Sequence, residues 1–192
     1  MKELHEIIRK QGRVLPGDIL KIDTFLNHQI DVKVMDLLGQ EFYRLFKDGN
    51  PTKILTIESS GIAIAMGASK YFGNIPVVFA KKTAAANMSS QTYMSHEHSY
   101  TRDIDYTVQV AKEFLSENDR VLILDDFLAN GEAMNSLIDI CRQSGCTIVG
   151  CGAVVCKVYQ PGEDRIKKLG YHVESLARVK SLENNQVQFE DE

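Results

Sequence analysis

The chain is most constrained by a set of short apolar runs that do not alternate. They are Lys53-Ile54-Leu55-Thr56-Ile57-Glu58, Pro76-Val77-Val78-Phe79-Ala80, Arg120-Val121-Leu122-Ile123-Leu124-Asp125 and the stretch from Thr147 to Val155. A strand with one wet face alternates polar and apolar residues, so runs like these predict strands covered on both faces. Helical patterns lie between them. Small apolar residues follow Gly61 to about Phe72, and Met134, Leu137, Ile138 and Cys141 recur at helical spacing. A short helix near 162–169 precedes a last run, Tyr171 to Leu176. The pattern predicts an α/β fold with a mostly parallel, open sheet and helices on both faces. In such sheets ligands bind beyond the carboxyl ends of the strands, so function is expected just after each run.

The rest of the chain is read around that core. Leu4, Ile7 and Ile8 mark one face of a helix that stops at Gly12, and residues 13–31 read as irregular. A second helix over roughly 32–47 carries Met35, Leu38, Phe42, Leu45 and Phe46. Residues 83–104 are polar, lack periodicity and read as a structureless loop ahead of a strand at 105–110. No repeat or linker divides the 192 residues, which predicts one domain over 1–192.

Charge and composition exclude several classes. A net charge of -4 opposes nucleic-acid binding. The first residues alternate charged and apolar, unlike a signal peptide, and no run reaches the length of a membrane span, so a cytoplasmic protein is expected. Cys141, Cys146, Cys151 and Cys156 recur every five residues. That odd spacing predicts opposite strand faces for Cys151 and Cys156, and thus reduced, buried thiols rather than a metal site. His96-Glu97-His98 in a loop makes a poor metal cage.

The chemistry concentrates in Val121-Leu122-Ile123-Leu124-Asp125-Asp126-Phe127-Leu128-Ala129-Asn130-Gly131-Glu132-Ala133. Four apolar residues deliver two carboxylates to the strand tip, and a glycine loop then opens a helix. The N–H groups at a helix start attract anions. Carboxylates only accept hydrogen bonds, so they suit sugar hydroxyls or a divalent cation. A sugar phosphate satisfies both halves.

This arrangement resembles the phosphoribosyl diphosphate (PRPP) signature of the type I phosphoribosyltransferases, whose loop usually ends Thr-Gly-Gly-Thr. Here Asn130, Gly131, Glu132 and Ala133 stand at those positions, and two usual hydroxyls are missing. Contacts to the 5′-phosphate are therefore expected from backbone N–H groups of Ala129 to Ala133 and from the Asn130 amide. The similarity continues through Leu20 to Asp31, Ile57 to Ala63, Gln160-Pro161-Gly162 and Val173 to Arg178, in that order. Within the family it is to bacterial members that act on xanthine.

The resemblance implies a type I fold with a flexible hood loop at 83–104, and a base-binding hood built from 1–31 and the C-terminal strands. It implies purine salvage: transfer of ribose 5-phosphate from PRPP, with Mg²⁺ bound mainly through PRPP, onto a 6-oxopurine. Xanthine is the expected base, with guanine or hypoxanthine as the alternative. Asp125 and Asp126 would hold the ribose. Glu58, Ser59, Ser60 and Gly61 would form the diphosphate loop, and Lys82 would face the leaving diphosphate. Leu20, Asn27 and Lys157 would bind the base, the lysine donating to the 6-oxygen. In many relatives an acidic residue three positions after the second aspartate assists the base's proton, and here that position is Ala129. A homodimer is implied as well. A PRPP-sensing regulator is the rival reading. Such regulators carry a winged-helix domain, for which a core starting near residue 32 leaves no room.

Overall fold

The computed structural model describes the backbone of residues 1–83, 91–99 and 104–190, and the side chains of 1–82, 91–96 and 107–190. In chain order the elements are α1 (Lys2–Gln11), β1 (Arg13–Leu15), β2 (Ile19–Lys21), α2 (Val32–Phe46), β3 (Lys53–Ile57), α3 (Ser60–Tyr71), β4 (Val77–Thr83), β5 (Thr92–Ser99) and β6 (Ile104–Ala111). They continue as β7 (Arg120–Leu128), α4 (Glu132–Ser144), β8 (Thr147–Lys157), α5 (Gly162–Lys168), β9 (Val173–Ser181) and β10 (Gln188–Phe189).

The unbroken apolar runs form the middle of an eight-stranded sheet ordered β10-β9-β8-β7-β3-β4-β6-β5. The strands β9, β8, β7, β3 and β4 run parallel, while β10 and the β5–β6 pair are antiparallel at the edges. Residues of α1, α2 and α3 pack on one face, and residues of α4 and α5 on the other. This is why those strands have no polar alternation. Local chemistry sets the helix ends. The Asp31 carboxylate accepts from the N–H groups of Lys33 and Val34 at the start of α2. Gly145 closes α4 in the left-handed conformation.

Several expectations change. Residues 13–31 are not irregular: β1 and β2 form a hairpin, and Asp23–Asn27 forms a wide helical turn. Asp125 and Asp126 do not end their strand, because β7 runs on to Leu128 beside β8. β4 extends through Lys81 and Lys82 because antiparallel β6 continues the ladder after β3 has ended. The structureless reading of 83–104 fails at 92–99, where β5 pairs with β6; residues 84–90 and 100–103 lie outside the described residues. Gln143 of α4 ties β5 down by accepting from Met94 N at 3.2 Å and donating to Met94 O at 2.6 Å.

No disulfide joins the four cysteines. Cys151 and Cys156 nevertheless pack in the same core cluster rather than on opposite faces. Alternation breaks at Val154–Val155, both of which pack in the other cluster.

Candidate active site

The ladder between β3 and β7 ends at Leu55 opposite Ile123, while the β7–β8 ladder continues to Leu128 opposite Cys156. Asp125 and Asp126 thus sit where β7 has lost one neighbour but keeps the other. Backbone amides fix both carboxylates: Asp126 N donates to Asp125 Oδ1 at 2.9 Å, and Phe127 N to Asp126 Oδ1 at 2.8 Å. Asp126 Oδ2 accepts from Asn27 Nδ2 at 2.8 Å and from Ser60 Oγ at 2.7 Å. One carboxylate oxygen therefore joins three separate segments of the chain.

Asp125 is only 4% exposed. Burial, reinforced by the neighbouring Asp126 charge, holds its carboxyl well above the ordinary range, against the opposing pull of the Asp126 amide and the Lys82 cation. Lys82 is therefore electrostatically part of the site.

Two loops flank the pair. At the end of β3, Glu58 N donates to Ala80 O at 3.1 Å, and the Glu58 carboxylate accepts from Lys82 N at 2.5 Å. The Glu58–Ser59 peptide is cis. Gly61, in the first turn of α3, admits no side chain: a Cβ there would lie 2.0 Å from Thr56 Oγ1. Thr56 is wholly buried, and among the described residues its hydroxyl has no hydrogen-bond partner.

The loop from Ala129 to Ala133 leads into α4 through Gly131 at φ 86°, a conformation that favours glycine. Its carbonyls are tied back to α5. Gly162 N donates to Ala129 O at 2.9 Å, and Arg165 Nη1 donates to Asn130 O at 3.2 Å. A Cβ on Gly162 would sit 2.3 Å from Ala129 O, so the contact needs glycine. A loop whose carbonyls are engaged elsewhere can offer its N–H groups to an anion. α5 is itself pinned: Glu163, 6% exposed, accepts from Arg178 Nη1 at 2.5 Å and from Lys167 Nζ at 2.9 Å. Burial works against the Glu163 charge, yet these two cations hold its pKa below the usual value.

On the expected base side, Leu20 is buried in β2 and Lys157 ends β8. The Lys157 ammonium donates to Asp18 O at 2.5 Å. Asn27, expected to face the base, spends an amide proton on Asp126. Direct bonds or close approach thus join Asp125, Asp126, Asn27, Ser60, Gly61, Glu58 and Lys82. Lys157 and Leu20 connect to one another through the β1–β2 hairpin, not through a bond to the carboxylate pair.

The sequence reading passed over Thr56, Asp18 and the side chains of Tyr159 and Gln160. Pro16-Gly17-Asp18 does signal a turn, but its partners lie some 140 residues away, where no local pattern reaches. His96 Nδ1 lies 3.1 Å from Thr107 Oγ1, and the side chains of Glu97 and His98 fall outside the described residues. Among the described residues no group of three or more His, Cys, Asp or Glu side chains could hold a metal ion.

Acceptors for hydroxyls and backbone turns for anions meet at one sheet end, which suits a phosphorylated sugar. Comparison with known proteins agrees. Residues 22–191 match the phosphoribosyl transferase domain family. A xanthine phosphoribosyltransferase of Finegoldia magna is 49% identical over 191 residues, covering 100% of both chains. One from Laribacter hongkongensis is 50% identical, covering 98% of this chain and 100% of its own. Among solved structures, the adenine phosphoribosyltransferase of Rhodothermus marinus superposes with a TM-score of 0.75 at 20% identity, covering 93% of this chain and 100% of that one. At that identity the likeness speaks for the fold alone. A family match across most of its length and near-half identity to whole relatives together place this chain in the phosphoribosyl transferase family.

Proposed function

We propose that the chain transfers ribose 5-phosphate from PRPP to xanthine, giving xanthosine 5′-monophosphate and diphosphate. The observation that carries the reading is Asp126 Oδ2, which binds Asn27 of the expected base side and Ser60 of the expected diphosphate loop at once. A carboxylate so placed suits the ribose that lies between a base and a diphosphate. The xanthine activity in the names of whole-length relatives supports the choice of base. So does Lys157, whose ammonium only donates and matches a 6-oxygen better than a 6-amino group.

In this reading Asp125 and Asp126 orient the ribose hydroxyls. The turn from Ala129 to Ala133 receives the 5′-phosphate, and Glu58 to Gly61 with Lys82 receive the diphosphate. The bond from C1′ to the diphosphate oxygen breaks as base nitrogen N9 bonds to C1′, and orientation and electrostatics supply the rate. Mg²⁺ would be held mainly by PRPP oxygens, with Asp125 and Asp126 the acidic residues on the ribose side, and when bound it neutralises diphosphate charge. The donor set fits this role: two carboxylates already engaged by amides and a hydroxyl suit an ion that arrives with its own oxygens. The Ala129 side chain offers no acceptor for the base's proton, so either xanthine's own acidity lightens its loss or another group takes it up.

The proposal extends to the whole chain as one domain, with 1–31 and the C-terminal strands forming the hood and the β5–β6 pair standing beside Lys82 at the sheet edge. Four free thiols support a reducing, cytoplasmic setting, and no helix among the described residues is long and apolar enough to cross a membrane. The homodimer is carried forward from the family resemblance, and the exposed Phe79 and Phe114 side chains offer apolar surface for it.

The test is diphosphate release with PRPP, Mg²⁺ and each of xanthine, guanine, hypoxanthine and adenine. Xanthine should give the highest kcat/KM and adenine no turnover. A higher value for guanine or hypoxanthine would move the reading to that base, and no release with any base would sink it.

A further inference from the structure

We infer that Asp18 and Tyr159 are positioning residues for the base subsite, fixing where the Lys157 ammonium points. The inference rests on the proposed role of Lys157 in holding the base. Asp18 lies at the tip of the β1–β2 hairpin, after Gly17, and both residues are left-handed, with φ 84° at Gly17 and 63° at Asp18. Aspartate tolerates this conformation better than most residues. It turns the Asp18 carbonyl toward Lys157 Nζ, 2.5 Å away.

Apolar burial does not hold that tip. Leu15 and Ile19, which flank the turn, are 38% and 49% exposed. Residues 14–18 and Tyr159 line an open cleft of about 490 Å³ against residues 180–185. Polar bonds hold it instead. Tyr159 OH lies 2.8 Å from both Asp18 carboxylate oxygens, and Gln160 Nε2 donates to Oδ2 at 3.3 Å. Both donors belong to the segment just after β8, which also presents Lys157.

The circuit is short. The carboxylate of Asp18 is locked to Tyr159 and its carbonyl to Lys157, so hairpin and lysine are set against each other. Lys157 Nζ lies 3.5 Å from Asp18 Oδ2, while Tyr159 and Gln160 occupy that carboxylate. The lysine side chain is 12% exposed. An ammonium has three protons, and the Asp18 carbonyl takes one in a fixed direction. The others are then aimed, not free to rotate. Without Tyr159 the carboxylate would compete for the lysine and draw it from the base.

The experiment measures steady-state kinetics for Tyr159→Phe, Asp18→Asn and Lys157→Met beside wild type, varying xanthine and PRPP separately. Tyr159→Phe keeps the ring and removes one charge-assisted hydrogen bond, so it should raise the KM for xanthine about fivefold. The KM for PRPP, kcat and the thermal midpoint should stay near wild type. Asp18→Asn keeps an acceptor for Tyr159 but removes the charge that competes for Lys157, so its xanthine KM should rise less, and in the double variant the effect of Tyr159→Phe should shrink, because no carboxylate is left to draw the lysine. A purely structural role would lower the thermal midpoint and change both KM values together, which overturns the inference. A raised xanthine KM in Lys157→Met with unchanged values in the other two also overturns it, leaving the lysine's role intact. An unchanged xanthine KM in Lys157→Met would instead remove the reading beneath it.

Discussion

The two halves of the candidate site are held in different ways. The half expected to take the phosphates is set in main chain. Asp125 and Asp126 lie within β7, Gly61 packs on a buried threonine, and the loop after β7 is bonded through carbonyls to α5. Beneath it the Glu163–Arg178 pair is largely withdrawn from water. The half expected to take the base hangs on side chains: Asn27 to Asp126, Tyr159 and Gln160 to Asp18, and Lys157 to the hairpin tip. Diphosphate and ribose are the same for every phosphoribosyl acceptor, whereas the base is what distinguishes one acceptor from another. A rigid floor and a side-chain roof let the second change without disturbing the first.

The largest effect should come from the floor. Gly61→Val places a Cβ 2.0 Å from Thr56 Oγ1 and must displace the start of α3. A shift of about 1 Å at a reacting centre costs on the order of a hundredfold. We expect that loss in kcat/KM for PRPP in initial-rate assays. Equal losses from changes on the hairpin would erase the distinction between the halves.

Gly162→Ala should be the next largest, since its Cβ meets Ala129 O at 2.3 Å and Gly131 N at 2.8 Å. The KM for PRPP should rise about tenfold, the worth of one displaced charge-assisted contact. The KM for xanthine should stay within about twofold, which contrasts with Tyr159→Phe.

A third test concerns support rather than contact. Arg178→Met leaves Glu163 buried with only Lys167, and denaturant titration should show a loss of about 2 kcal/mol, below the ~3–5 expected for a fully buried pair because Arg178 is 29% exposed. Arg44→Met, which breaks an exposed i,i+3 pair with Glu41, should leave the denaturation midpoint close to that of wild type.

The smallest effect is one of pH. Because the folded pKa of Asp125 lies above its unfolded value, ionising it works against folding. That contribution is absent below the ordinary carboxylate pKa and grows as pH rises toward the folded one. Asp125→Asn should therefore gain thermal midpoint over wild type as pH rises above the ordinary carboxylate value of about 4. A gap that shrinks with rising pH would contradict the burial of that carboxyl.

The same contrast decides what could be read from the sequence. The floor is written locally: an apolar run, two aspartates, a glycine and a helix stand consecutively, so strand, turn and helix were legible together and an anion site was expected between them. Its supports were less so. Gly162 and Arg178 belonged to recognisable stretches, but nothing in them told that one would meet Ala129 O and the other Glu163. Of the roof, Leu20, Asn27 and Lys157 were expected only by resemblance and Asp18 and Tyr159 were missed, because Asn27 meets Asp126 across 99 positions and Tyr159 meets Asp18 across 141. Residues 13–31 looked irregular because a three-residue hairpin strand is too short to show a period. The polar stretch 92–99 hid β5 because, among the described strands, it lies at the sheet edge beside β6.

Calorimetric titration of PRPP with Mg²⁺ into wild type and into the Asp125→Asn, Asp126→Asn double variant probes the floor most directly. Wild type should bind, and the variant should lose about a hundredfold or more in affinity while keeping its cooperative thermal transition, since each lost acceptor removes a hydrogen bond to a charged group. Equal affinity in the two proteins would contradict the assignment of the carboxylate pair to the sugar.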